Sequence, residues 1–346
     1  MVNIMKSITI YDIAKEAGVS PATVSRILTG STTVSEEKRQ KVQKLIEKYD
    51  FRPNAMARGL TVSSSKTIGM LVPDAQNPYY NSVFASCCNA AYEKGYSMLL
   101  LNTFSDPARE KEALAKLIEQ RVDAVIISGG RCDLAEQGPL SEETLRLISN
   151  RCRVVITSYS NYPEFAGICI DHRGCLDLAV DHLISLGHRD IGFVYAGPEY
   201  IGTKWKLDRL KEKLESYGLP FRKEWMIESR TYAHRGGRSA AHTIAELDQR
   251  PTAVIALNDV LAAGLLQGFH EVRIDVPGEI SVIGFDNAYL TDITSPSITS
   301  VGYDYDAFGA MVVDYAVGKH AQDQGINLLI PGELVCRDST DVARRA

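Results

Sequence analysis

Two groups of residues have types and spacings suited to chemistry. The first is the compact run Ser20-Pro21-Ala22-Thr23-Val24-Ser25-Arg26. If helical, it turns small and polar side chains and a single long cation outward, a surface that suits the roughly 12 Å major groove of DNA. The second group is dispersed. Asp74, Tyr79-Tyr80, Asn102, Ser158, Asp171, Asn258-Asp259 and Asp286-Asn287 each follow a short apolar run. Tyrosine rings offer flat apolar faces, and Asp and Asn offer bidentate polar groups, which together suit a sugar. The same carboxylates and amides also serve as helix caps at βα turns, and for Asp171 and Asp259 the two uses stand level. No GxSxG, GxxxxGK[ST], GxGxxG or HExxH occurs, so no catalytic signature is present. Cys169-Ile170-Asp171-His172-Arg173-Gly174-Cys175 matches no zinc spacing, and the adjacent pair Cys87-Cys88 falls on two faces of a helix. Neither metal nor cofactor is expected.

The elements that must hold the first group are short helices. Thr9-Ile10-Tyr11-Asp12 reads as a capping box, with Thr9 as cap and Asp12 at the third helical position. The helix it starts should stop at Gly18, where a left-handed turn is easy. Ser20-Pro21 is a second start signal, for a helix to about Leu28. Two short helices around a glycine form a helix-turn-helix candidate, with Ala14 small at the crossing and Val24 facing inward. Ser35 should cap a third helix whose core face is Val42, Leu45, Ile46 and Tyr49. Pro53 ends it. Asn54 then opens Ala55–Leu60, too short to be a stable helix alone, followed by the polar linker TVSSS.

The dispersed group sits on an alternation of strands and helices. Expected strands are Ile68–Val72, Ser97–Leu101, Ala124–Ser128, Val154–Thr157, Gly167–Ile170, Ile191–Tyr195, Val254–Leu257 and Ser281–Phe285, with helical patterns between them, one of them at Glu142–Asn150. Such βαβ alternation implies parallel sheets covered on both faces. About 280 residues exceed one sheet of ordinary size, so two lobes are expected.

Charge divides the same way. Residues 1–65 hold ten Lys/Arg and six Asp/Glu, whereas the remaining residues hold 28 and 37. A basic head on an acidic body is the distribution of a chain whose head touches nucleic acid. The 346 residues are 45% hydrophobic and 23% charged, which excludes disordered and fibrous classes. No run is long enough to span a membrane, and the N-terminus lacks the apolar core of a signal peptide. Seven cysteines without a CxxC fit reduced thiols. A cytoplasmic protein without membrane contact is expected.

The segments ITIYDIAKEAGVSPATVSRILTG, VSEEKRQKV and FRPNAMARGL resemble the head of the lactose/purine repressor (LacI/GalR) family almost position by position. PDAQNPYY, GHRDIGFVYAGP, PTAVIALND and VPGEISVIGFDN resemble recurring stretches of its body. The resemblance implies a helix-turn-helix head and a body of periplasmic-binding-protein type, with two doubly wound parallel-sheet lobes joined by three crossovers and ligand in the cleft. It places Tyr11, Pro21, Ala22, Thr23, Ser25 and Arg26 at groove and backbone contacts. Asn54, Ala57 and Arg58 fall at hinge contacts, and Leu60 at a minor-groove wedge. Effector positions fall on Tyr79, Tyr80, Asp171, Trp205, Lys206, Tyr232, Asn258 and Asp286. One departure stands out: the family's effector-gripping Arg and the Gly three residues later are Lys206 and Arg209 here. A lysine is a point charge without the planar fork; Trp205 and Tyr200 beside it are placed to supply stacking instead.

The expected organisation is a head at 1–52, a hinge and linker at 53–65, one lobe at 66–164 plus about 294–324, and a second at 165–293 plus about 325–346. The expected function is a sequence-specific, homodimeric transcriptional repressor that binds operator double-stranded DNA under control of a small effector, a sugar. The alternatives are a soluble sugar-binding protein and a cytoplasmic α/β enzyme with an accessory DNA-binding head.

Overall fold

A computed structural model describes residues 8–28, 34–51, 64–135, 148–160, 162, 164–320, 323 and 325–344. The chain divides into two compact units, Met1–Ser65 and Lys66–Ala346.

In the first unit, α1 (Ile10–Ala17), α2 (Pro21–Leu28) and α3 (Glu36–Lys48) enclose a small core of Ile13, Ala14, Val24, Ile27 and Val42. Local chemistry sets both ends of α1 and the start of α2, whereas Ser35 precedes α3 without the expected side-chain capping bond. The Thr9–Asp12 capping box is complete, and Gly18 closes α1 in the left-handed region at φ 68°. The Ser20 hydroxyl accepts from the Thr23 amide at 3.2 Å, starting α2. Glu16 ties α1 to the end of α3 by accepting from Lys48 and from the Tyr49 hydroxyl, each at 2.9 Å. The hinge positions Asn54, Ala57, Arg58 and Leu60 lie outside the described residues, as do 142–147 of the expected helix Glu142–Asn150.

The second unit holds two six-stranded sheets. The first contains β1 (Thr67–Val72), β2 (Ser97–Asn102), β3 (Ala124–Ile127), β4 (Arg153–Ile156), β5 (Ala166–Ile170) and β11 (Asn327–Ile330), in the spatial order β11-β5-β4-β3-β1-β2. The second contains β6 (Ile191–Ala196), β7 (Met226–Ser229), β8 (Ala253–Ala256), β9 (Ser281–Asp286), β10 (Thr299–Tyr303) and β12 (Gly332–Val335), in the order β12-β10-β9-β8-β6-β7. The described pairings are parallel except β10 with β12. Central strands such as β3 and β8 are buried throughout, as sheets covered on both faces require.

All eight expected strands are present, with ends within one residue. The expected lobe boundaries at 164/165, 293/294 and 324/325 need correction. β5 and β11 belong to the first sheet and β10 to the second, so each crossover follows the strand rather than preceding it. The physical reason is that each of these strands hydrogen-bonds to its sheet before the chain leaves. The turns after β5 and β10 are marked by Asp171 and Asp304, which cap the helices that follow. No described helix is long and apolar enough to cross a membrane.

Candidate functional site

Both sheets reverse strand order at one point, between β1 and β3 in the first and between β6 and β8 in the second. Ligands of open α/β sheets sit outside the carboxyl ends of strands at such points. A cavity of about 190 Å³ lies there, lined from the first lobe by Asp74, Tyr79, Tyr80 and Asp133 and from the second by Lys206, Tyr232, Asn258 and Asp286.

Each side chain is positioned by a local device. Asn77 caps the helix α4 (Pro78–Glu93) by accepting from the Tyr79 amide at 3.0 Å, with Pro78 in the first helical position. The cap sets Tyr79 and Tyr80 in the first turn, where their rings meet edge to face at 5.2 Å. Tyr303, ending β10, and Tyr305 extend the cluster, their centroids 6.4 and 6.3 Å from Tyr79. Burial pushes the phenols of Tyr79, Tyr80 and Tyr303 well above their usual range, so they stay protonated and can donate. Gly129 (φ 75°) and Gly197 (φ 59°) adopt left-handed backbone and pass so close to the hydroxyls of Tyr80 and Tyr232 that a β-carbon would collide.

Asp286 ends β9 at φ 99°, a conformation that side chains other than glycine rarely adopt. Such strain persists where the surroundings enforce it, and it concentrates at ligand sites. The Tyr305 hydroxyl donates to the Asp286 carbonyl at 3.0 Å, and the Tyr303 hydroxyl to its carboxylate at 3.4 Å. Burial raises the Asp286 carboxyl to about 6, opposed chiefly by the Lys206 charge. Lys206 projects from α7 (Ile201–Ser216); it is 4% exposed, with its ammonium 3.9 Å from the centre of the Phe285 ring. Burial lowers its pKa, opposed chiefly by the Asp286 charge, and the ammonium rests in a cation–π contact. Asn258 caps α9 (Asp259–Glu271), accepting from the Leu261 amide at 2.8 Å, and still lines the cavity.

The head presents a different surface. Tyr11 is 71% exposed, Ala22 and Arg26 are exposed, and Pro21, Thr23 and Ser25 are half-buried, while Val24 and Ile27 turn into the core. The Thr23 hydroxyl is engaged 2.9 Å from the Ser20 hydroxyl, so it is also a cap partner. The outward side of α2 is therefore small and polar, with one long cation at its end.

Comparison with known proteins decides the family. Residues 9–54 match the model of bacterial regulatory proteins of the lacI family, and residues 180–340 match that of periplasmic binding protein-like domains. The transcriptional regulator DegA of Bacillus subtilis is 32% identical over 338 residues, covering 96% of this chain and 98% of that protein. The chain belongs to the LacI family. It is a DNA-binding transcriptional regulator. The crystal structure of the lac repressor dimer bound to operator and the anti-inducer ONPF superposes with a TM-score of 0.86 at 25% identity, covering 97% of this chain and all of that one. A LacI-family regulator from Enterococcus faecium with bound ribose superposes at 0.68 with 26% identity, covering 80% of this chain and 100% of that one.

Of the effector positions expected in this LacI-family chain, the structure brings six to the cavity: Tyr79, Tyr80, Lys206, Tyr232, Asn258 and Asp286. It directs two elsewhere. Asp171 caps α6 (His172–Ser185), accepting from the Gly174 amide at 3.0 Å, and Trp205 packs against Tyr159 at 5.4 Å. Asp259 is also structural: Ser300 and the Ala288 amide each donate to it at 2.7 Å. Arg209, at the family's glycine position, is held by two hydrogen bonds to Asp177 at 2.8 and 2.7 Å rather than facing the cavity. Tyr200 does line it.

Sequence reasoning missed Asp133, His172 and Tyr303, all of which line the cavity. Asp133 lies one 3-10 turn beyond β3, past the strand-end position where polar residues were sought; the Gly129-Gly130 pair that redirects the chain was the available signal. His172 stands within the Cys169–Cys175 stretch, whose letters suggest only a metal site, and directly follows the capping Asp171. Tyr303 ends a strand, Thr299–Tyr303, whose small and polar residues carry no apolar run.

Proposed function

We propose that this LacI-family regulator is a repressor that binds an inverted-repeat operator as a homodimer, its affinity set by a small effector, a sugar, in the cleft of the body. The observation that carries the effector half is the convergence of tyrosines, Lys206 and the strained Asp286 on one cavity formed by both lobes. A ligand held by both lobes favours one lobe arrangement over another and so shifts the population that fits DNA. The proposed effector contacts are Tyr79, Tyr80, Lys206, Tyr232, Asn258 and Asp286. Supporting the sugar are the mix of flat aromatic and polar groups and the ribose bound by the Enterococcus faecium relative. Asp171 and Trp205 are not among the contacts.

For DNA, we assign α2 to the major groove, with Tyr11, Pro21, Ala22, Thr23, Ser25 and Arg26 as the contacting set; the family resemblance adds Asn54, Ala57, Arg58 and Leu60. A twofold dimer reads two half-sites, so the operator must be a near-palindrome. Selection from a random duplex pool with the full chain tests this. Enrichment of an inverted repeat is the expected result; enrichment of a single unrepeated half-site, or of nothing above the starting pool, would refute it.

A further inference from the structure

Among the described residues, two buried side-chain polar atoms have no hydrogen-bond partner: Oδ1 of Asp133 and Nδ1 of His172. Both side chains line the same cavity. They approach it from opposite lobes. Asp133 ends the turn after β3 of the first sheet, while His172 opens α6, which packs on α7 and on β12 of the second sheet. Buried polar groups in native proteins are almost always paired, so two unpaired atoms on facing walls of one cavity mark where a ligand completes the structure.

The charges around them define that ligand. Asp74, Asp133 and Asp286 line the cavity against one cation, Lys206, and no arginine is among its described lining residues. His172 adds no charge, because burial pushes its imidazole down to about 3. The Lys206 ammonium already lies over Phe285 and in the field of Asp286. A phosphate or carboxylate offers only acceptors to the Asp133 carboxylate and is repelled by it. A hydroxyl both donates and accepts, so it satisfies a carboxylate and also an imidazole nitrogen in either tautomer.

We propose that Asp133 and His172 are paired effector anchors, one on each lobe, and that they select an uncharged, hydroxyl-bearing ligand over its phosphorylated counterpart. This rests on the reading of the cleft as the effector site and narrows it. The adjoining residues connect the anchor to lobe closure. Leu134 forms a β-bridge with Tyr200 of the other lobe, and the Ala135 amide donates to the Glu199 carbonyl at 2.8 Å. A ligand hydroxyl on Asp133 therefore sits beside a backbone link between the lobes.

The test is a thermal-shift and calorimetric titration of the full chain with matched pairs: D-ribose against D-ribose 5-phosphate, and D-glucose against D-glucose 6-phosphate. Expected is stabilisation by a neutral member and none by its charged counterpart. The Asp133 carboxylate keeps one hydrogen bond, to Ser158, which an asparagine oxygen can retain, so D133N should hold the unliganded Tm near that of wild type while weakening the neutral sugar roughly ten- to a hundredfold. H172Q should weaken the same sugar, and carries the test if D133N does not fold. Tighter binding of a phosphorylated member overturns the selection and leaves the effector cleft standing. A lower unliganded Tm in D133N with sugar affinity unchanged makes Asp133 structural and overturns its role as anchor. No shift with any probe overturns both this proposal and the effector reading beneath it.

Discussion

Arg26 is the one long cation on Pro21–Leu28, and it is exposed while its helix neighbours Val24 and Ile27 fill the head core. Replacing it should therefore affect DNA far more than folding. R26A is expected to weaken operator binding by about 1–3 kcal/mol and to relax preference at one base position if the guanidinium reads a base. Competition between operator variants measures this. An equal loss on random and selected DNA would assign Arg26 to phosphate, and an unchanged affinity for both would remove it from the interface. At this scale the sequence was legible wherever a residue's neighbours announced its use: Asn77-Pro78-Tyr79-Tyr80 is a cap, a helix start and two rings in a row. It was ambiguous for Asp171 and Asp259, because one carboxylate chemistry serves caps and ligands alike. Only the hydrogen-bond partners in the folded chain, the Gly174 amide for one and Ser300 with Ala288 for the other, separate the uses.

Among the elements, the loop after β3 joins the two lobes through the Leu134–Tyr200 bridge and the Ala135–Glu199 hydrogen bond. Leu134 is already extended, with ψ 131°, so a proline can follow it without clash. A135P removes the donor. The loss of one backbone hydrogen bond should weaken effector affinity by roughly 0.5–1.5 kcal/mol, read as a two- to tenfold rise in Kd by calorimetry. An unchanged Kd would show that the link plays no part in the liganded arrangement. The elements that periodicity did not reveal share a physical cause. β7, β11 and β12 are four-residue edge strands, largely half-exposed, with apolar stretches of at most three residues to mark them. β10 lies inside its sheet but is built of Thr, Ser, Val, Gly and Tyr. The boundaries at 293/294 and 324/325 were misplaced for the same reason, since locating a crossover requires knowing which sheet claims these weak strands, whereas at 164/165 the strand β5 was legible but its sheet was not. Strong central strands such as Ile191–Ala196 were legible because both faces are buried and their sequences are nearly all apolar.

In the whole molecule, a basic DNA-reading head and an acidic ligand-holding body occupy one chain, and the central claim is that occupancy of the cleft sets affinity for DNA. Coupling of this kind is typically worth about 1–3 kcal/mol, a 5- to 150-fold change in affinity. Asp286 is the residue through which to interrogate it, because its backbone is strained and its side chain lies on the cavity wall at the end of β9. The decisive measurement is a fluorescence-anisotropy titration of the selected operator by full-length wild type and D286A, each with and without the sugar that stabilises the body. Wild type should change its operator affinity at least fivefold on adding sugar, and D286A should show the unliganded affinity in both conditions. Wild-type operator binding that is indifferent to a sugar shown to occupy the cleft would contradict the claim.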